Sequence, residues 1–200
     1  MINLVGLGPG NKEYMIFKAV EVLEDSSLIV GFSRAIDSID FVDNPKKKVQ
    51  KLADIVDIIK DNVDKNIAIV ASGDPTFYGV LNYLKENLLE EINVVPGLSS
   101  FQYLMSKLSL PWNGAKLSSL HGREGEFIEE IKSSKLTIWL TDNKNTPSKL
   151  AKDIFEENIE ATIYVGENLS YEDEKITIGI PVEIMNKSFS SLSVLVVERK

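Results

Sequence analysis

The stretch Ala71-Ser72-Gly73-Asp74-Pro75-Thr76-Phe77-Tyr78-Gly79 puts a carboxylate on a constrained turn immediately after the apolar run Ile67 to Ala71. Glycine permits backbone conformations closed to other residues, proline fixes φ, and an unbroken apolar run of this length reads as a strand buried in a parallel sheet. Asp74 therefore stands at a strand's carboxyl end, the edge at which open α/β sheets take their ligands. The alternative is that Asp74 only caps a helix beginning near Phe77. A second constrained loop, Gly6-Leu7-Gly8-Pro9-Gly10, ends the apolar strand Ile2 to Leu7. Such loops bring backbone amides close to pyrophosphate groups. A dinucleotide fingerprint, however, needs glycine where Asn11 stands, and a phosphate loop needs Gly-Lys followed by Ser or Thr where Asn11-Lys12-Glu13 is found. What remains is a rigid loop with Pro9 at its apex, expected to border the same site as Asp74.

The single histidine, His121, lies in Ser118-Ser119-Leu120-His121-Gly122-Arg123, just past an expected strand. Imidazole exchanges protons near neutrality and guanidinium pairs bidentately with carboxylates, so this segment suits a substrate contact; its plain reading is a structural histidine beside a surface arginine. Arginine occurs only at 34, 123 and 199, and Arg34 follows Gly31-Phe32-Ser33 in a comparable loop. Thr141-Asp142-Asn143-Lys144-Asn145-Thr146-Pro147 leads into a helix with Thr146 as its N-cap. Glu167-Asn168-Leu169-Ser170 follows another strand, and neither segment declares a function alone. The absence of cysteine excludes disulfides, thiolate catalysis and Cys-ligated metals, and one histidine makes no His-rich metal site, so no metal is expected. A net charge of −8 disfavours nucleic acid, whose binding depends on cationic side chains. The dense basic run Lys46-Lys47-Lys48 reads as a solvated turn, or as an anion contact. No apolar stretch approaches the roughly 18 to 20 residues of a membrane span, and Met1 to Gly6 lacks a signal peptide's basic flank, so the expected setting is the cytoplasm, away from membranes.

The elements that must position these residues alternate. Strands are expected at Ile2 to Leu7, Leu28 to Phe32, Ile67 to Ala71 and Ile92 to Val95. Helices are expected at Glu13 to Leu23, with Ile16, Phe17, Val20 and Leu23 on one face, and at Leu52 to Ile59, Val80 to Leu88 and Phe101 to Leu108, the last capped by Ser99-Ser100. Alternation of this kind implies a parallel sheet covered on both faces. The break Ser109-Leu110-Pro111-Trp112-Asn113-Gly114 separates 1–110 from 111–200. Beyond it come strands at Lys116 to Leu120, Leu136 to Leu140, Ala161 to Val165, Lys175 to Ile180 and Leu192 to Val197, a helix from Pro147 to Phe155, and a hairpin-like return joining the last two strands. The expected fold is α/β: two α/β/α lobes, the first mainly parallel, the second mixed, with a cleft between them.

In this order and spacing, Gly6 to Gly10, the Ser-Gly-Asp-Pro-x-Phe-Tyr-Gly segment at 72–79 and Val-Pro-Gly-x-Ser-Ser at 95–100 resemble the tetrapyrrole methylase family, S-adenosylmethionine-dependent enzymes of class III methyltransferase fold. Ser-x-His-Gly-Arg at 119–123, Leu-Thr-Asp-x-x-x-Thr-Pro at 140–147 and Glu-Asn-Leu-Ser at 167–170 resemble the branch that methylates C5 of cobalt-precorrin-7 in anaerobic cobalamin biosynthesis. The chain stops at Lys200, which favours the stand-alone form over a fused two-function enzyme. The resemblance implies S-adenosylmethionine folded between the lobes. Pro9, Ser72, Gly73, Asp74, Phe77, Ser99 and Ser100 would contact it from the first lobe, Leu140 and Leu169 from the second. It also implies a corrinoid substrate and a homodimer. Within that frame Arg34, Arg123 and Lys12 are the expected cations for substrate carboxylates, and His121 the group that assists or orients proton loss. Asn11 and Met15-Ile16 depart from the Asp and Leu-Thr that family openings often carry. The alternatives are a diphthine synthase-like or rRNA methylase-like enzyme of the same fold, or a nucleotide-binding α/β module that does not methylate.

Overall fold

A computed structural model describes all 200 residues, Met1–Lys200. They form two compact units, Met1–Ser100 and Phe101–Lys200. The first carries β1 (Ile2–Gly6), α1 (Phe17–Glu24), β2 (Leu28–Phe32), α2 (Ser33–Asp37), β3 (Lys46–Val49), α3 (Leu52–Lys60), β4 (Ile67–Ala71), α4 (Leu81–Asn87) and β5 (Ile92–Val95). All five strands run parallel, in the order β3-β2-β4-β1-β5. The chain moves across the sheet one way from β1 to β3, then reverses through β4 to β5. Right-handed crossovers therefore place α1 and α2 on one face and α3 and α4 on the other. The apolar cores follow: Ile2, Leu4, Ile67 and Ile69 bury against Ile55, Ile59 and Leu84, while Val5, Leu7, Ala68 and Val70 bury against Ala19, Leu23 and Ile36. Each buried Val, Leu or Ile among them contributes about 1.5–3 kcal/mol of burial free energy, and burial on both faces explains why these strands read as unbroken apolar runs.

Three local expectations fail. The helix expected from Glu13 is split: a 3₁₀ turn, Lys12–Tyr14, is capped by Asn11, whose Oδ1 accepts from Glu13 N at 2.9 Å, and the backbone is extended at Met15 and Ile16 before α1. The buried stripe is therefore Ala19, Val22 and Leu23, and Phe17 is 95% exposed. Lys46-Lys47-Lys48 is an edge strand rather than a turn, with Val49 buried and Lys48 paired to Asp37 at 2.5 Å. Charged side chains on an edge strand prevent pairing with foreign strands, which is why the segment shows no apolar pattern. Asp74 is no helix cap, because α4 begins only at Leu81.

The second unit follows α5 (Ser100–Leu108) with β6 (Lys116–Ser119), α6 (Phe127–Ser133), β7 (Leu136–Leu140), α7 (Pro147–Glu156), β8 (Ala161–Glu167), β9 (Lys175–Gly179), α8 (Pro181–Ile184) and β10 (Ser193–Arg199). Its sheet is mixed, in the order β6-β7-β10-β8-β9. The two last strands do not pair with each other, contrary to the expected hairpin: β10 inserts antiparallel between β7 and β8, and β9 pairs with β8. Trp139, wholly buried, meets Phe127 edge to face at 4.9 Å inside the core shared with α6, α7 and α8. Thr146 caps α7 through Lys149 N, and Pro147 occupies its first turn. No helix is long and apolar enough to cross a membrane.

Candidate functional site

Because the first sheet is wholly parallel, the loops leaving β1, β2, β4 and β5 share its carboxyl edge. The loop from β4 turns to the face opposite those of its neighbours β1 and β2, which is the switch of direction that opens a ligand crevice in open α/β sheets. There the three glycine motifs converge. Gly8 N donates to Gly73 O at 3.3 Å and Gly73 N donates back to Gly8 O at 2.7 Å, stitching the Pro9 loop to the Asp74 loop. A Cβ on Gly97 would lie 2.2 Å from Gly73 O, and one on Gly6 would lie 2.6 Å from Gly97 N and 2.8 Å from Pro75 Cδ. The three backbones approach to distances only glycine allows. Gly73 itself differs: its φ is +67°, and a Cβ there would find nothing nearer than Ser99 Cα at 3.9 Å. The space over Gly73, between the Asp74 turn and the start of α5, is thus open to a ligand that touches backbone.

The remaining residues expected in the first unit fall along this edge. Pro9 is buried in its loop and Ser72 is exposed. Asp74 accepts from Thr76 N at 2.7 Å and from Thr76 Oγ1 at 2.5 Å. Both bonds fall on Oδ1, so Oδ2 is the atom left for a ligand. Phe77 meets Tyr78 edge to face at 4.9 Å, with Tyr78 in a left-handed conformation at φ +52°. Ser99 is buried and Ser100 opens α5. Arg34 is exposed on α2, after β2. The Lys12 ammonium stands 5.8 Å over the Phe41 ring, a cation–π contact that fixes its position.

In the second unit, β6, β7 and β8 end at one edge and β10 begins there. His121 and Arg123 are both exposed on the loop after β6. His121 Nδ1 lies 3.0 Å from the Thr141 carbonyl oxygen. A carbonyl can only accept, so Nδ1 carries the hydrogen and the neutral ring presents Nε2 as an acceptor. Next to it Asp142 Oδ2 accepts from Gly122 N at 2.8 Å, and Oδ1 accepts from Lys144 N at 2.9 Å and Asn145 N at 2.7 Å. The Gly122 amide, then those of Asn145 and Lys144, with the His121 imidazole adding its field, hold the Asp142 carboxyl below the usual carboxylate range. Arg123, Glu124, Lys144, Lys149 and Asp153 line a cavity of about 360 Å³ beside these two loops.

Leu140 is half-buried at the end of β7. Leu169 is buried against Gly166, so only its main chain remains for an outside contact. Sequence reasoning missed two groups. Asp142 was legible only as part of a polar loop, since its partners lie on another loop. Glu167 shares a sheet face with Ser193 and is 6% exposed; its Oε1 accepts from Ser190 N at 2.8 Å, while Oε2 is buried with no hydrogen-bond partner.

Solved structures share this fold over nearly their whole length. The precorrin-6Y methylase cbiE from Archaeoglobus fulgidus has a TM-score of 0.78 at 23% identity, covering 100% of this chain and 98% of its own. The uroporphyrin-III C-methyl transferase from Thermus thermophilus, complexed with S-adenyl homocysteine, has a TM-score of 0.81 at 19% identity, covering 98% and 91%. The architecture is that of these methyltransferases. In sequence, the chain is 35% identical to the "Probable cobalt-precorrin-7 C(5)-methyltransferase" of Methanocaldococcus jannaschii over 99% of this chain and 98% of that protein. It is 26% identical, over the full length of both, to the cobalt-precorrin-7 C(5)-methyltransferase of Salmonella typhimurium. Residues 1–180 match the Tetrapyrrole (Corrin/Porphyrin) Methylases, and the chain belongs to that family.

Proposed function

We propose that this protein transfers the methyl group of S-adenosylmethionine to C5 of cobalt-precorrin-7, a corrin-ring precursor. The observation that carries the reading is the 35% identity, over essentially the full length of both chains, to the Methanocaldococcus jannaschii relative of that name. The open space over Gly73 fits a cofactor held by backbone; the family resemblance assigns Pro9, Ser72, Gly73, Asp74, Phe77, Ser99 and Ser100 to holding it, with Leu140 and the main chain at Leu169 against adenine.

When bound, the sulfonium supplies an electrophilic methyl group. The protein's own task is then alignment of the ring carbon with methyl and sulfur, for which well-held reactants gain up to roughly 7–11 kcal/mol. Arg34, Arg123 and Lys12 would take the carboxylates of the substrate, local cations set against a chain of net charge −8. His121 Nε2 would accept the proton lost after the new carbon–carbon bond has formed. We further read the protein as a cytoplasmic homodimer without affinity for nucleic acid. Calorimetry tests the cofactor: micromolar binding of S-adenosylhomocysteine with no heat from NAD or ATP is expected, and the reverse pattern refutes methyl transfer. Incubation with isotopically labelled cofactor and corrin intermediates, followed by NMR, tests the substrate; label at a carbon other than C5 would overturn that assignment.

A further inference from the structure

Asp142 binds nothing in the reading above, yet it ties together the loop that bears His121 and Arg123 and the loop that starts α7. One of its oxygens receives Gly122 N–H, the residue between those two side chains, and the other receives Lys144 and Asn145 N–H from its own loop. The tie is doubled elsewhere. Asn145 Nδ2 donates to Leu120 O at 3.2 Å, Leu120 N donates to Leu140 O at 2.9 Å, and His121 Nδ1 donates to Thr141 O at 3.0 Å. Thr141 is in turn immobilised, its Oγ1 lying 2.8 Å from both Ser193 O and Ser193 Oγ.

We propose that Asp142 is a positioning residue for methyl transfer: with the Thr141 carbonyl, it holds the His121-Gly122-Arg123 loop so that His121 Nε2 is the unprotonated nitrogen and faces outward as the proton acceptor. The proposal rests on the methyltransferase reading for what the proton comes from, and on geometry alone for where it goes. In that step the ring carbon's electron pair forms the bond to the methyl carbon as the carbon–sulfur bond breaks, the methylated ring loses one proton, and the Nε2 lone pair takes it up and passes it to water. Charged residues lie on both loops that hold His121. Arg123 and Glu124 lie on its own loop, and Asp142 and Lys144 come from the loop packed against it. The Asp142 carboxylate favours the imidazolium formed in the step. Its depressed pKa means that it keeps its charge while His121 cycles.

The one imidazole of the chain makes the test direct. Long-range ¹H–¹⁵N NMR of the full chain, without substrate, is expected to show a single neutral tautomer with the hydrogen on Nδ1. Asp142→Asn keeps the volume but puts an amide N–H against an N–H donor on one side or the other. It is expected to populate the Nε2–H tautomer and to lower kcat about 10- to 100-fold, as displacement of a reacting group does, without changing S-adenosylhomocysteine affinity. A wild-type spectrum dominated by the Nε2–H form overturns the proposal. So does an Asp142→Asn protein with the wild-type tautomer and wild-type kcat. If the expected tautomers are seen but S-adenosylhomocysteine does not bind, the positioning stands and the methyltransferase reading fails.

Discussion

The two units build the edges that carry the candidate site residues from different materials. In the first, the edge is made of backbone: Gly6 and Gly97 approach each other and the Gly73 carbonyl at distances that exclude a Cβ on either, and reciprocal amide bonds join Gly8 to Gly73. In the second, side chains do the joining: Asp142 and Asn145 reach across to the loop that bears His121, and the His121 ring itself donates to the Thr141 carbonyl. A backbone-built edge is rigid and, at Gly6 and Gly97, intolerant of an added Cβ, which suits a cofactor whose shape does not change between substrates. A side-chain edge can be retuned one residue at a time, which suits a family whose members methylate different positions of related macrocycles.

The largest effect should come from Gly97→Ala, whose methyl would sit 2.2 Å from the Gly73 carbonyl oxygen and must push the β4 and β5 loops apart. Overpacking against backbone costs about 1–3 kcal/mol. The expected outcome is a Tm lowered by several degrees and no measurable S-adenosylhomocysteine binding; wild-type affinity would show that the loops need not touch. Next, on the side-chain edge, His121→Gln should lower kcat by about 100- to 10,000-fold if general base catalysis operates. Arg123→Ala should instead raise substrate KM far more than the Kd of S-adenosylhomocysteine. Equal effects of Arg123→Ala on both ligands would erase the division of labour drawn here.

A smaller effect follows from pH. The native Asp142 carboxyl titrates below its unfolded value of about 3.9, so its contribution to stability is complete above that value and is lost as pH falls through the lower native one. The Tm gap between the wild type and Asp142→Asn should therefore be present at neutral pH and close in acid. A gap that is constant down to about pH 2 would mean that the carboxylate charge is not what the latch uses. The smallest effect belongs to Lys18→Ala, at an exposed position on α1. Its exposed ion pair with Glu21 is worth about 0.2–0.5 kcal/mol, and a change in either ligand's affinity would mean that the edges are not the site.

The same contrast governs what could be read from the amino acids. The glycine loops were legible because Gly-Asp-Pro and Gly-x-Gly-Pro-Gly announce their conformation locally, and the strands before them because burial on both faces leaves unbroken apolar runs. The Asp142 latch was not, since nothing in Thr141-Asp142-Asn143 points to Gly122. Pairing was equally hidden: the insertion of β10 between β7 and β8 depends on contacts distant in sequence, and apolar alternation does not say which strand a strand will meet. The short α6 escaped notice because only Phe127 and Ile131 are fully buried, one helical turn apart, with Ile128 half-buried beside them among charged residues. The strand β3 escaped because edge position relieves it of one apolar neighbour.

The central claim is that the converged loops of the first unit hold S-adenosylmethionine over Gly73, and a crystal structure grown with S-adenosylhomocysteine tests it most directly. The account predicts density for the ligand against the Gly73 backbone, between the Asp74 turn and Ser99. Density for the whole ligand at another place, with Gly73 touching only protein and solvent, would contradict it.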